Sequence, residues 1–281
     1  MTGVRGAAPP PVHGEWGALL DVALDAATAA GRLIVDDRPR GPLEVTATKS
    51  SATDIVTVMD QRAERLVVDR ITAARPDDGF LGEEGAATEG TSGVTWVVDP
   101  IDGTVNYLYE IPAYAVSVAA RIGDQVVAGA VVNPVTGETW TAVRGQGAWL
   151  DGAPIRVNAP PELAMALVAT GFGYAAERRA RQAEILRSVL PLVRDVRRAG
   201  AASLDLCALA CGRVDAYYEQ GLKPWDLAAG GLVAQEAGAT VGGLPGRPAG
   251  ESLVVAAAPE LFAALEELLA GLDADADADS D

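Results

Sequence analysis

Two aspartates leave one apolar run together, in Trp96-Val97-Val98-Asp99-Pro100-Ile101-Asp102-Gly103-Thr104. A run rich in Val and Trp reads as a strand, and carboxylates at its end are placed to hold a metal or a phosphate. Pro100 restricts Asp99 to extended backbone, so the three-residue spacing predicts a tight turn in which both carboxylates converge on one divalent cation. The amides of Gly103 and Thr104 then open a helix, whose free N–H groups and dipole favour a bound phosphate.

Two further acids stand at comparable junctions. Gly82-Glu83-Glu84-Gly85 closes the apolar step Phe80-Leu81, and Lys223-Pro224-Trp225-Asp226 puts a carboxylate at the start of a helix. Taken singly, a Glu-Glu pair is an ordinary solvated turn and a Trp-Asp pair an ordinary helix cap. Crowding Glu83, Asp99, Asp102 and Asp226 together would cost on the order of 3 kcal/mol per pair at ~5 Å and an effective dielectric of about 20. Such a cluster makes sense only around bound cations. Oxygen ligands without His or Cys select Mg²⁺, Mn²⁺ or Ca²⁺ over zinc or copper.

The rest of the composition removes competing chemistries. His13 is the only histidine among 281 residues, and it sits in a Pro/Gly-rich N-terminal stretch. A Ser-His-Asp triad, a Cys-His pair, a His-ligated zinc or a phosphohistidine each needs an imidazole in the folded body. Cys207 and Cys211 lie four apart in an apolar helical run and read as reduced core residues. Asp-Pro-Ile-Asp-Gly-Thr also invites comparison with the aspartyl-phosphate motif of haloacid-dehalogenase-type phosphatases. That motif spaces its two aspartates by two and lies near the N-terminus, which decides against it.

Charge and hydropathy bound the partners. The 22 basic against 39 acidic side chains give a formal net charge of -17, of which the five aspartates of the alternating Asp/Ala tail supply only five. So acidic a body disfavours nucleic acid and anionic membrane and favours a bound cation. The N-terminus lacks an apolar signal region and no later stretch is long enough to span a bilayer, so the expectation is a cytoplasmic protein with no membrane partner. With 49% hydrophobic residues the chain can bury a large core.

Those acids need positioning elements. Leu, Val and Ala recur at three- and four-residue spacing over 15–36, predicting a helix that stops before Arg38-Pro39. A second helix is predicted over 60–74 with Asp60 as its N-cap. Strands follow in TWVVDP, AYAVSVAARIG, QVVAGAVVNPVTGETWTAV and GAWLDGAPI. Beyond about residue 160 the pattern alternates strand and helix: LVATGFGY, a charged helix, the helix SLDLCALACG, the strand VDAYYE, and a helix after Asp226. The Gly171-Phe172-Gly173-Tyr174 run reads as a turn that can border a substrate pocket. The expected class is α+β. A disordered segment over 1–14 precedes an N-terminal half over 15–158 with most of the acids, a C-terminal half over 159–270 carries Glu219 and Asp226, and 271–281 is a disordered acidic tail. The two halves are expected to enclose a cleft.

In their joint order these segments resemble the inositol monophosphatase family, over about residues 15–260. The match is carried by Lys49-Ser50-Ser51 with Asp54 and Asp60, by Gly82-Glu83-Glu84, by Asp99 through Thr104, by Gly200-Ala201-Ala202-Ser203, by Asp215 through Glu219, and by Gly221 through Asp226. The resemblance implies a layered αβαβα sandwich shared with fructose-1,6-bisphosphatases, a homodimer, and a lithium-sensitive phosphatase using two to three Mg²⁺, or Mn²⁺, per site. It implies one metal on Glu83, Asp99 and the carbonyl of Ile101, a second on Asp99, Asp102 and Asp226, and a looser third reached from Glu83 through water. Asp60 and Thr104 would polarise the attacking water. Asp102, Gly103, Thr104, Gly200, Ala201 and Glu219 would contact substrate. Ala201 departs from the Ser or Thr of many members, which removes a hydroxyl beside the substrate. The implied reaction is hydrolysis of a small phosphorylated polyol or alcohol, with myo-inositol 1-phosphate first and histidinol phosphate, fructose 1,6-bisphosphate or a nucleotide 3′-phosphate as alternatives. A regulatory protein-binding role is the non-enzymatic alternative.

Overall fold

The computed structural model describes residues 14–39, 45–48 and 55–276. His13, Lys49, Ser50, Ser51, Asp54 and the last five residues lie outside that set. Helix α1 (Glu15–Asp36) covers the predicted span and buries Leu19, Leu20, Ala23, Ala26, Ala27, Ala30 and Ile34 along one stripe. An antiparallel pair, β1 (Val45–Thr48) and β2 (Ile55–Thr57), leads directly into α2 (Val58–Ala74). The eight-stranded sheet comprises β3 (Gly79–Gly82), β4 (Ala87–Thr88), β5 (Val94–Asp102), β6 (Ala115–Ile122), β7 (Gln125–Val132), β8 (Thr139–Val143), β9 (Gly147–Leu150) and β10 (Ala153–Pro154), with the short α3 (Thr104–Leu108) after β5. Its order is β10-β9-β8-β7-β6-β5-β3-β4.

The second half contributes β11 (Leu167–Thr170), α4 (Ala176–Val189), β12 (Asp195–Arg197), α5 (Ala202–Ala210), β13 (Ala216–Glu219), α6 (Pro224–Glu236), β14 (Thr240–Gly242), β15 (Val254–Ala257) and α7 (Pro259–Ala270). Its sheet has five strands in the order β12-β11-β13-β15-β14. The core divides into clusters that define the layers. One joins α1 and α2 to the first sheet, one joins the opposite face of that sheet to α5 and α6, one joins α5 and α6 to the second sheet, and one joins the far face of the second sheet to α4 and α7. The result is the expected αβαβα sandwich. With both faces of the first sheet covered, β6 (AVSVAARI) is buried at six successive positions, which is why its sequence shows no polar alternation.

The chain does not stop packing at residue 270, where the acidic tail was expected to leave the body. Ala274 is buried, Arg181 donates to the Leu272 carbonyl at 2.9 Å, Gln220 donates to the Ala276 carbonyl at 2.9 Å, and Arg247 pairs with Asp275. One small apolar residue with basic partners is enough to hold a turn that composition alone assigns to solvent. Among the described residues no helix is long and apolar enough to cross a membrane.

Candidate active site

Asp99 and Asp102 are brought to one side by a bulge rather than by a tight turn. Strand β5 runs through Pro100 and Ile101 to Asp102, and its register with β6 shifts between Asp99, opposite Ser117, and Asp102, opposite Ala115. In a regular strand, residues three apart face opposite sides. Three steps on β5 against two on β6 absorb one residue and turn Asp102 back to the side of Asp99. The bulge is also where a proline fits inside a sheet, because the ladder donor it lacks is not required there.

Asp226 reaches the same point from the other half. It is the third residue of α6, and its carboxylate accepts the Lys223 amide at 2.7 Å, so it caps the helix while pointing outward from it. One carboxylate oxygen each from Asp99, Asp102 and Asp226 lies within 4.8 Å of the other two. Glu83 follows β3, its amide bonded to the Val98 carbonyl at 3.2 Å, and its carboxyl hydrogen-bonds that of Asp99. Burial, then Glu83, Asp102 and Asp226 together push the Asp99 carboxyl well above the usual range. Asp226 is driven the same way by burial, Asp102 and Glu83. No lysine or arginine side chain among the described residues pairs with Asp99, Asp102 or Asp226. Three converging aspartates that meet no lysine or arginine among the described residues fit hard divalent metals better than a salt-bridge network.

Asp102 has a second task. Its carboxylate accepts the amides of Ala202 at 3.2 Å and Ser203 at 2.7 Å and the Ser203 hydroxyl, so it caps the N-terminus of α5 and ties the two halves together at the site. Gly103 then turns with φ 92°. A side chain there would collide with the Ala113 carbonyl at 2.9 Å and crowd Ala201 and Gly200, so glycine is needed both for the turn and for the approach of the 200–201 loop. Asn106 on α3 donates to the carbonyls of Ala113 at 2.7 Å and Ala199 at 2.8 Å, fastening that loop. Ala201 is buried and offers no hydroxyl.

Beside the cage, the Thr104 hydroxyl lies 3.0 Å from both the Asp60 carboxylate and the Ile101 carbonyl. Asp60 is not the N-cap of α2 as its sequence position suggested. Thr57 is the N-cap and Asp60 the N3 residue of a capping box, because the helix begins directly at the end of β2 and Thr57 is the residue still in extended backbone. Asp60 accepts the Thr57 amide at 2.8 Å and the Thr57 hydroxyl at 2.5 Å. Burial raises its carboxyl to about 6, against the pull of the Thr57 hydrogen bonds.

Glu219 ends β13 and accepts the Tyr217 hydroxyl at 2.7 Å. Burial raises its carboxyl to about 7. It packs so closely on Gly171 that a methyl group there would overlap it, which sets the Gly171–Tyr174 loop beside it. The predicted site residues among the described ones thus gather around the Asp99–Asp102 bulge.

Three residues had escaped sequence reasoning. Glu64 on α2 accepts the amides of Glu84 at 2.8 Å and Ala86 at 3.0 Å, holding the turn that carries Glu83. Ser203 anchors Asp102. Asp205 on α5 is buried, and one of its oxygens has no partner; burial, then Glu219 and Asp102 push its carboxyl to about 8. Glu64 and Asp205 sit on helices where an acid ordinarily faces water, so only the tertiary contacts reveal them. Ser203 lies in the Gly-Ala-Ala-Ser segment that carries the family resemblance, but its partner across the two halves leaves no mark in that segment.

The sequence profile of the inositol monophosphatase family matches residues 16–274. The inositol-1-monophosphatase SuhB of Mycobacterium tuberculosis strain H37Rv is 51% identical over 233 residues, 80% of each chain. The Nus factor SuhB of Escherichia coli K12 is 39% identical over 230 residues, 81% of this chain and 86% of that one. The crystal structure of the extragenic suppressor protein suhB from Bartonella henselae superposes with a TM-score of 0.83 at 36% identity, covering 90% of this chain and 98% of that one. Family profile, relatives and fold agree with the carboxylate geometry: the chain belongs to the inositol monophosphatase family and is a phosphoric monoester hydrolase.

Proposed function

We propose that this chain hydrolyses small phosphate monoesters with Mg²⁺, and that myo-inositol 1-phosphate is its substrate. The observation that carries the reading is the convergence of Asp99, Asp102 and Asp226 within 4.8 Å, with no side-chain cation paired to them among the described residues. Glu83, Asp99 and the Ile101 carbonyl would hold one ion, and Asp99, Asp102 and Asp226 a second. A third, looser ion would be reached from Glu83 through water, and Mn²⁺ suits the same oxygens. When bound, the ions supply Lewis-acid polarisation of the phosphate and of the attacking water.

The chain's own groups do the rest. Thr104 accepts a hydrogen bond from the attacking water while its hydroxyl proton points to Asp60, so the proton released on attack has a path to a carboxylate already raised to about 6. The amides of Gly103 and Thr104 face the phosphate oxygens, where charge builds in the transition state. Glu219 accepts from substrate hydroxyls, and Gly200 and Ala201 form the facing wall. The family resemblance adds lithium sensitivity and a cytoplasmic homodimer to the reading.

The test compares kcat/KM on myo-inositol 1-phosphate, histidinol phosphate, fructose 1,6-bisphosphate and adenosine 3′,5′-bisphosphate, with and without excess EDTA. Release from the inositol ester that disappears in EDTA is the expected result. Undiminished activity in EDTA would sink the metal assignment. A preference for histidinol phosphate would overturn the substrate. Silence on every ester would turn the reading to a binding role of the kind named for the Escherichia coli relative.

A further inference from the structure

A sizeable cavity lies away from the carboxylates. A space of about 500 Å³ runs along α6, lined by Pro224, Leu227, Ala228, Gly231, Leu232 and Gln235, whose spacing of three and four puts them on one helical face. Arg121 of β6, Val126 of β7, Arg144 just after β8 and residues 248–251 also line it. None of the residues assigned above to metal, water or substrate lines it. Arg121 pairs with Thr95, four residues along β5 from Asp99, or ~13 Å at about 3.3 Å per residue.

Arg121 is the feature that needs an explanation. Its Nε is shut off from solvent and has no hydrogen-bond partner, and its guanidinium makes no ion pair among the described residues. The other cations lining the cavity are engaged. Arg144 donates to the Val126 carbonyl at 2.6 Å and to Gln235 at 3.3 Å, and Lys223 pairs with Glu251. Asp124 at the β6–β7 turn is exposed and does not pair with Arg121. Other arginines of the described residues also lack an ion pair, but Arg121 is the one whose enclosed nitrogen has no hydrogen-bond partner. Its planar fork matches a carboxylate or phosphate head group, and the apolar face of α6 offers a wall to an aliphatic or aromatic body. The volume lies in the range that takes a small organic ligand.

We propose that this cavity is a second ligand site, distinct from the metal cage, which takes a small organic anion with its oxyanion head on Arg121 and its apolar body along α6. Occupancy does not require the metals. The probes are octanoate, octylphosphonate and octanol, titrated calorimetrically into the full chain in Mg²⁺ and again in excess EDTA. One or both anions should bind saturably in either buffer, with octanol weaker by about tenfold or more, the loss of one charge-assisted contact. The tighter of the two anions identifies the head group.

Two variants separate the site from folding artefacts. Arg121→Ala should weaken the anion by about tenfold or more and leave Mg²⁺-dependent hydrolysis unchanged. Gly250→Phe adds a bulky side chain at a lining residue where a Cβ meets nothing within 4 Å and should weaken binding by narrowing the space. Octanol binding as tightly as the anions, equal anion affinity in wild type and Arg121→Ala, full binding in Gly250→Phe, or binding that disappears in EDTA would each overturn the proposal. So would the absence of saturable binding by both anions at millimolar concentration.

Discussion

Asp60 and Asp99 are both shut off from solvent at the same site, yet their surroundings answer that burial in opposite ways. Asp60, at the mouth of α2, is met by the Thr57 amide and hydroxyl and by the Thr104 hydroxyl, and its carboxyl rises only to about 6. Asp99, at the bulge of β5, has the Ile101 amide at 3.0 Å and otherwise faces Glu83, Asp102 and Asp226, which with burial push it well above the usual range. Hydrogen bonds satisfy the first carboxylate and leave it near a pH at which it can take a proton. The second has one backbone donor and otherwise meets carboxyl groups, so a proton or a bound cation relieves it. In the proposed reading the capping box prepares a proton acceptor and the bulge a metal seat.

The largest break in this contrast is Asp99→Asn. It removes the carboxylate shared by both proposed metals, and kcat/KM should fall by on the order of a thousandfold or more, since misaligned ions forfeit several kcal/mol of transition-state stabilisation. Without metal the same change should stabilise the fold, because it deletes one of the mutually repelling charges. The unfolding midpoint in EDTA is therefore expected to rise and the increment added by Mg²⁺ to shrink. A midpoint in EDTA that falls would mean that Asp99 is satisfied by the protein after all.

Asp60→Asn tests the other side. The proton acceptor is lost while the metal seat stays, so kcat should drop by about a hundredfold or more with the Mg²⁺ requirement little changed. In wild type the raised carboxyl must be deprotonated to accept a proton, so kcat should decline as pH falls below about 6, and that acid limb should vanish in the variant. A limb that persists in Asp60→Asn assigns it to another group.

Glu64→Ala acts on the metal seat from one step behind. Loss of the acceptor for the Glu84 and Ala86 amides frees the turn bearing Glu83, and the Mg²⁺ concentration for half-maximal activity should rise about 10- to 100-fold, with saturated kcat changed far less. A loss of kcat that excess Mg²⁺ does not restore would place Glu64 in a different role.

How far these roles could be read from sequence follows from what each depends on. Asp99, Asp102 and Asp226 sit at element ends in short local patterns, so their convergence was legible, as was α1, whose periodicity is a local property. The bulge was not, because a two-against-three register is a relation between strands and leaves no mark within β5 beyond Pro100. Asp60 was placed one role away from its own, since Thr57 and Asp60 are both plausible caps until the end of β2 decides between them. The turn after α7 was missed because composition speaks for solvent while the contacts of Ala274 and Asp275 speak for packing. Arg121 was invisible for a related reason: its interest is a missing partner, and absence has no motif.

Asp205 gives the finest test of the comparison, because it resembles Asp99 in burial and Asp60 in having no metal to hold. Its unpartnered oxygen lies near Glu219 and Asp102, with Arg198 only partly opposing them, and its carboxyl is pushed to about 8. The folded state therefore holds this proton more tightly than the unfolded chain, whose carboxyl titrates near 3.8. Its stabilising share is complete below the unfolded value and declines as pH rises toward about 8, at up to about 1.4 kcal/mol per pH unit for a full proton. Asp205→Asn keeps the shape and removes the titration, so its urea midpoint should depend less on pH than that of wild type between about pH 5 and 8 and should exceed it at the alkaline end, with kcat/KM within about tenfold. Parallel midpoints in the two proteins would mean that Asp205 stays ionised and satisfied throughout, and that burial without partners does not by itself mark a carboxylate that must be neutralised.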